Sequence, residues 1–199
     1  MYQSMSKSKF NVRTLVTIGM LSSISFILML FNFPLPYLPP FLEIDFSDVP
    51  ALIATITMGP VAGIIVEIIK NILDWLFKGA ETGIPVGHMA NLVTSLLFIL
   101  PVYYIYKRVA SSKGLFIGLL VGTISMAIGM SLLNYAVFLP MYTYFLGMGT
   151  FDYKEMIVLG ILPFNLIKGI LLMVVMMMIY RTMRKWIEKQ QSQYLLQKQ

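Results

Sequence analysis

Apolar positions fill residues 12–33, 49–58, 60–77, 84–106, 114–139 and 154–180, and each run is bounded by proline, glycine or charge. The first run stops at Pro34-Leu35-Pro36 and Pro39-Pro40, because proline lacks a backbone donor and restricts the residue before it. Leu15 to Phe33 is long and no small-residue cleavage signal follows it, so it reads as a retained span rather than a leader. Asp48, two residues before Pro50, suits the cap of a second helix over 49–58. That helix is too short to cross about 30 Å of hydrocarbon at about 1.5 Å per residue. Met58-Gly59-Pro60 then breaks the chain, either as a kink in one long span or as a turn back. The charge distribution below needs an extra reversal and favours the turn. The loops at 78–83 and 141–153 separate the remaining runs, and the last helix frays into Arg181, Arg184 and Lys185. The pattern predicts an all-α polytopic membrane protein with six transmembrane helices in one bundle.

Composition agrees. Hydrophobic types make up 58% of the 199 residues and charged types 12%, against roughly 25% charged in a soluble domain. The formal charge of +6 would suggest nucleic acid in a soluble protein, but the basic residues sit between and after the apolar runs, where they orient a membrane protein. Lys7, Lys9, Arg13, Lys107, Arg108, Lys113, Arg181, Arg184, Lys185, Lys189 and Lys198, eleven in all, fall on one side if the chain reverses at Gly59-Pro60. Only Lys78 and Lys154 fall on the other. Both termini are therefore expected in the cytoplasm. Cysteine is absent and His88 is the single histidine, which leaves no thiolate chemistry and no multi-histidine metal centre. No G-x-x-x-x-G-K-[ST], H-E-x-x-H or G-x-S-x-G motif occurs. Binding outranks catalysis.

Charged and amide side chains inside apolar runs need partners or a purpose. Glu67, Lys70, Asn71 and Asp74 share one helical face, either as a self-neutralising seam or as the polar wall of a cavity. Asn165 and Lys168 share a face of the last helix, with Lys168 near mid-membrane, so it meets an acidic group, helix-terminal carbonyls or a ligand. Asn91 and Asn134 lie at a similar outer depth on two other helices. Together these positions suggest a pocket opening outward, although a single Asn can also just tie two helices together. Gly114, Gly118, Gly122, Ser125 and Gly129 form a small-residue stripe suited to close packing.

The blocks FLEIDFSDVPALI at 41–53, GPVAGIIVEIIKNIL at 59–73 and PFNLIKG at 163–169, in this order, resemble the riboflavin-binding substrate-specificity subunits of energy-coupling factor vitamin transporters, over about residues 12–186. The resemblance implies six helices around an outward vitamin site. It also implies a transmembrane coupling subunit and two cytoplasmic ATPases as partners, in the bilayer of a bacterial cell membrane, with riboflavin as transported ligand and no resident cofactor or metal. Carried onto this chain, it implies ligand contacts from Asn134, Asn165 and Lys168, with Leu42, Glu43, Ile44, Asp45 and Phe46 supplying loop backbone groups and apolar cover. Glu67, Lys70, Asn71, Asp74 and Asn91 remain candidates for the polar wall. The family's alanine-x-x-x-alanine docking surface has its nearest match in Gly19 and Ser23, with Ser22 beside them. Residues 1–11 and 187–199 are then a cytoplasmic N-terminal segment and a polar cytoplasmic tail flanking one domain at 12–186. The alternatives are a subunit for another vitamin, a small intramembrane enzyme using Glu67 or Asp74 as acid or base, and a structural membrane partner.

The chain has no native cysteine, which makes the topology directly testable by labelling. Lys113→Cys is expected to react only from the cytoplasmic side of oriented cells and Tyr144→Cys only from outside; outside labelling at position 113 contradicts the arrangement.

Overall fold

Helix α1 (Val12–Leu30) ends just before the proline-rich stretch, and the chain then pairs β1 (Phe33–Pro34) with β2 (Glu43–Ile44), antiparallel, with Phe33 opposite Ile44. This two-residue ladder is the one departure from the expected all-α architecture among the residues that the computed structural model describes, 12–80, 83–146 and 152–196. Lys7, Lys9 and Lys198, all assigned a side of the membrane from the sequence, lie outside them. The remaining elements are α2 (Asp48–Met58), α3 (Pro60–Lys78), α4 (Val86–Arg108), α5 (Ser112–Leu133), α6 (Leu139–Leu146), α7 (Tyr153–Met156) and α8 (Leu162–Leu196).

Four described stretches are long and apolar enough to cross a membrane: Val12–Leu30, Val86–Arg108, Ser112–Phe145 and Tyr153–Tyr194. The chain is thus a polytopic α-helical membrane protein. Helices α2 and α3 differ from these four. All 11 residues of α2 are buried, so it is an interior helix of about 16 Å. The 19-residue α3 is long enough, but it carries Glu67, Lys70, Asp74 and Lys78. Gly59 has a φ of 92°, a conformation that glycine adopts without steric cost, and Pro60 starts α3 with its missing donor at a position that needs none. A Cβ on Gly63 would lie 1.8 Å from Thr55 Oγ1 and 3.0 Å from the Ala51 carbonyl. Residues four before and four after Gly59 therefore face each other. The break is a tight hairpin, not a kink.

Two further prolines shape the later helices. Helix five was expected to end at Pro140, but a π-helical turn at Asn134–Phe138 leads straight into α6. A second π turn, Ile157–Ile161, stands just before Pro163 in α8. A proline ring clashes with the carbonyl four residues back, and the wider π turn relieves that clash without ending the helix. Helix α8 continues beyond residue 186 to Leu196, where Ile187 is buried and Gln191 Nε2 donates to the Ile56 carbonyl at 2.7 Å.

The small-residue stripe faces α4. A Cβ on Gly118 would meet the Val102 carbonyl at 3.0 Å, and one on Gly122 would meet the Phe98 carbonyl and Val102 Cγ2, both at 2.8 Å. Backbone-to-backbone approach of this kind needs glycine. Gly122→Leu is expected to destabilise the protein by about 1–3 kcal/mol through overpacking, read as a lower melting temperature in detergent. Gly19→Leu is expected to melt like the parent, since nothing lies within 4 Å of a Cβ there.

Candidate functional site

The first residue of α2 sits deep in the bundle, and its side chain gathers polar partners from three other helices, two of them charged. Asp48 does not cap α2 as its position suggested; it is the first helical residue, and its carboxylate turns inward. Its Oδ1 accepts from Lys70 Nζ of α3 at 2.5 Å and from Ser95 Oγ of α4 at 2.6 Å, while Oδ2 lies 3.4 Å from Lys168 Nζ of α8. Lys70 also meets Glu67 at 2.9 Å and donates to Ser47 Oγ at 2.7 Å. Lys168 also donates to Asp45 Oδ2 at 3.2 Å. Asp45 Oδ1 takes the Ser47 backbone N–H at 2.8 Å and the Ser47 hydroxyl, which fixes the turn into α2. Asp45, Asp48, Glu67, Lys70 and Lys168 are all at most 3% exposed. Of the partners open to Lys168, acidic groups are realised: Asp45 and Asp48.

A second cluster lies one to two turns further out. Asp74 was expected to pair with Lys70. Instead it holds Lys78 on its own helix at 3.1 Å and His88 Nε2 of α4 at 3.1 Å. It borders a cavity of about 510 Å³ whose polar lining is Asn32, Glu43, Asp45, Asp74, Lys78, His88 and Asn91. Met29, Phe41, Ile84, Val86 and Tyr142 give the same cavity apolar walls, and Phe41 and Tyr142 stack with ring centroids 5.6 Å apart. A concave site with apolar faces and a few convergent polar groups suits a flat, partly polar small molecule.

The structure places the sequence-predicted residues unevenly. Glu43, Asp45, Asp74 and Asn91 line the cavity, whereas Glu67, Lys70 and Asn71 lie beneath it in or beside the ion network. Ile44 is fully buried; Leu42 and Phe46 are half-buried in the same loop. Asn134 and Asn165 do not line the cavity. Each is buried and donates at 2.8 Å to the carbonyl four residues back, Met130 and Ile161 respectively, at the edge of a π turn. On α1, Ser22 faces inward and bonds the Ile18 carbonyl, while Gly19 and Ser23 face outward. Sequence reasoning missed Ser47, Asp48, Lys78, Ser95 and His88 as members of the site. Asp48 carried the one usable signal: a carboxylate beside an apolar helix that contains Thr but no basic partner of its own.

The network generates a stability prediction. Asp48→Asn keeps the shape but leaves Lys70 and Lys168 short of a counter-charge, a defect worth about 3–5 kcal/mol in buried pairs. The ligand-free variant is expected to melt well below the parent, and an unchanged melting curve would show that the junction does not hold these helices together.

Known proteins bear on this arrangement. The family model described as "ECF transporter, substrate-specific component" matches residues 13–180. The riboflavin transporter FmnP of Bacillus subtilis strain 168 is 50% identical over 187 residues, covering 92% of this chain and 98% of that protein. The riboflavin transporter RibU of Staphylococcus aureus strain TCH60 is 46% identical, covering 89% and 93%. A solved S component of a bacterial ECF transporter superposes with a TM-score of 0.76 at 47% identity, covering 88% of this chain and 97% of that one. With these matches along nearly its whole length, the chain belongs to the family of substrate-specific components of ECF transporters.

Proposed function

We propose that this chain captures riboflavin from the outer side of the membrane and carries it inward as the substrate-specific component of an ATP-driven ECF transporter. The observation that carries this reading is identity of 46–50% over about nine-tenths of the chain with two riboflavin transporters. The chemistry of the site supports it. Riboflavin offers a flat tricyclic ring that needs apolar faces, ring carbonyls that need donors, and a hydroxylated side chain whose groups are costly to bury unpaired. In this reading Asn134, Asn165 and Lys168, which lie outside the cavity's lining, offer directed polar groups to the ring, with Leu42, Glu43, Ile44, Asp45 and Phe46 closing over it. Lys168 acts as a donor paired with Asp45 and Asp48, not as a catalyst. Glu67 and Asp74 are engaged with Lys70, Lys78 and His88, which argues against an intramembrane enzyme built on either carboxylate.

Six helices crossing a bacterial cell membrane, with both termini cytoplasmic, fit the four apolar spans if the hairpin of α2 and α3 completes the bundle. Residues 12–186 form the substrate-binding domain in this reading, flanked by cytoplasmic segments at 1–11 and 187–199. A transmembrane coupling subunit and two ATPases supply the energy. The outward small-residue patch at Gly19 and Ser23 is the contact offered to the coupling subunit, and the inward Ser22 supports it from behind.

Fluorescence-quenching titration tests the pocket. Asn165→Leu and Lys168→Met are expected to weaken riboflavin binding by about 1–3 kcal/mol, the usual cost of an unpaired buried polar group, or roughly five- to 150-fold. Melting of the ligand-free variants is measured in parallel, because Lys168→Met also removes an ion pair. Unchanged affinity in both variants removes these residues from the site. Reconstituted vesicles should accumulate riboflavin from ATP only when the partner subunits are present, and Gly19→Leu should lower accumulation by impairing assembly.

A further inference from the structure

The cavity and the ion network share one residue. Asp45 lines the cavity and also receives Lys168 from below, so a ligand whose ring reaches Lys168 extends outward past Asp45 into the cavity. The cavity's polar groups are those that suit hydroxyls: the amide of Asn91, the imidazole of His88 and carboxylate acceptors, with the Asn32 amide donating to Glu43. Its charges are less hospitable to an anion. Among the described residues its lining carries the carboxylates of Glu43, Asp45 and Asp74, against Lys78 and His88. Both of those bases are committed to Asp74 at 3.1 Å, and Asp45 is the acceptor of a lysine that points at it from outside the cavity. No arginine lines the space, so no bidentate fork is present to receive a phosphate.

Resting on the reading of this chain as a riboflavin-binding component, we propose that Glu43 and Asp74 are specificity-determining residues that make the outer cavity a vestibule for neutral, hydroxylated side chains and discriminate against phosphorylated flavins. A phosphate ester at the end of the ribityl chain carries close to two negative charges at neutral pH. Placed in this cavity it faces carboxylates at short range and finds its two nearest bases already engaged. Desolvating such a group without a cation is costly, whereas a terminal hydroxyl in the same place donates to a carboxylate. Selection against the anion thus uses repulsion as well as fit.

Purified full-length protein titrated with riboflavin and with flavin mononucleotide reads the effect as the ratio of the two Kd values. The wild type is expected to favour riboflavin by about tenfold or more at low salt, or about 1.4 kcal/mol. Glu43→Gln and Asp74→Asn should each shrink that ratio about threefold or more, and so should about 1 M salt, where the screening length falls to about 3 Å. If Asp74→Asn does not fold, Glu43→Gln and the salt series still decide. Equal affinities for the two flavins, or a ratio that neither substitution nor salt moves, overturn the proposal. Failure of the wild type to bind riboflavin at all would instead overturn the functional reading beneath it.

Discussion

One carboxylate, that of Asp48, organises this protein. It sits at the start of an interior helix and receives Lys70 from α3, Ser95 from α4 and Lys168 from α8. In an apolar bundle each of these charges is expensive alone, so the four elements are held to the one arrangement in which the charges meet. The depth of Asp48 also draws the first outer loop inward. Ser47 and Asp45 follow it down, the Ser25 hydroxyl on α1 donates to the Ser47 carbonyl, and β1 and β2 close above. A surface loop would ordinarily keep its polar backbone in water. Here the ion network gives it partners inside.

The rest of the fold is compatible with that junction because the helices nearby are made to approach closely or to bend. Glycines at 118 and 122 bring α5 against the α4 backbone, and Gly63 lets α3 lie on α2. Gly59 and Pro60 reverse the chain in two residues, so that Lys70 returns to the level of Asp48. Proline-relieving π turns sit next to Asn134 and Asn165, where they shift the register of the outer part of each helix relative to the inner part. The two buried amides are thereby set beside backbone that is already irregular.

The network and the cavity occupy one side of the molecule, joined through Asp45. The other side carries an extended α8 whose last turns pack under the α2–α3 hairpin through Gln191 and Tyr194. The chain contains no phosphate-binding loop of its own, which fits a division of labour with ATP-hydrolysing partners.

Much of this was legible in the amino-acid sequence, and the limit has a clear cause. Apolar runs, prolines and the Gly59-Pro60 break located the first four helices within a few residues, because hydrophobic length and missing donors act locally, whereas the last helix runs on to Leu196 through the segment read as a polar tail. The common face of Glu67, Lys70 and Asp74 was readable too, since a helix repeats every ~3.6 residues. Their partners were not. Lys70 takes Asp48 from 22 residues away, Lys168 takes Asp45 from 123 away, and Asp74 takes His88 in preference to the lysine one turn below it. Helix periodicity says which residues share a face but not what that face meets. Pro140 likewise looked like a terminus, because its lost donor is visible in the sequence, whereas the π turn at Asn134–Phe138 carries the helix on through it. The sequence by itself determined the number and order of the helices' apolar runs, a property of local chemistry. Only the tertiary structure decided which charges pair, how deep the first loop descends and where the cavity opens, because each depends on groups that folding brings together from distant parts of the chain.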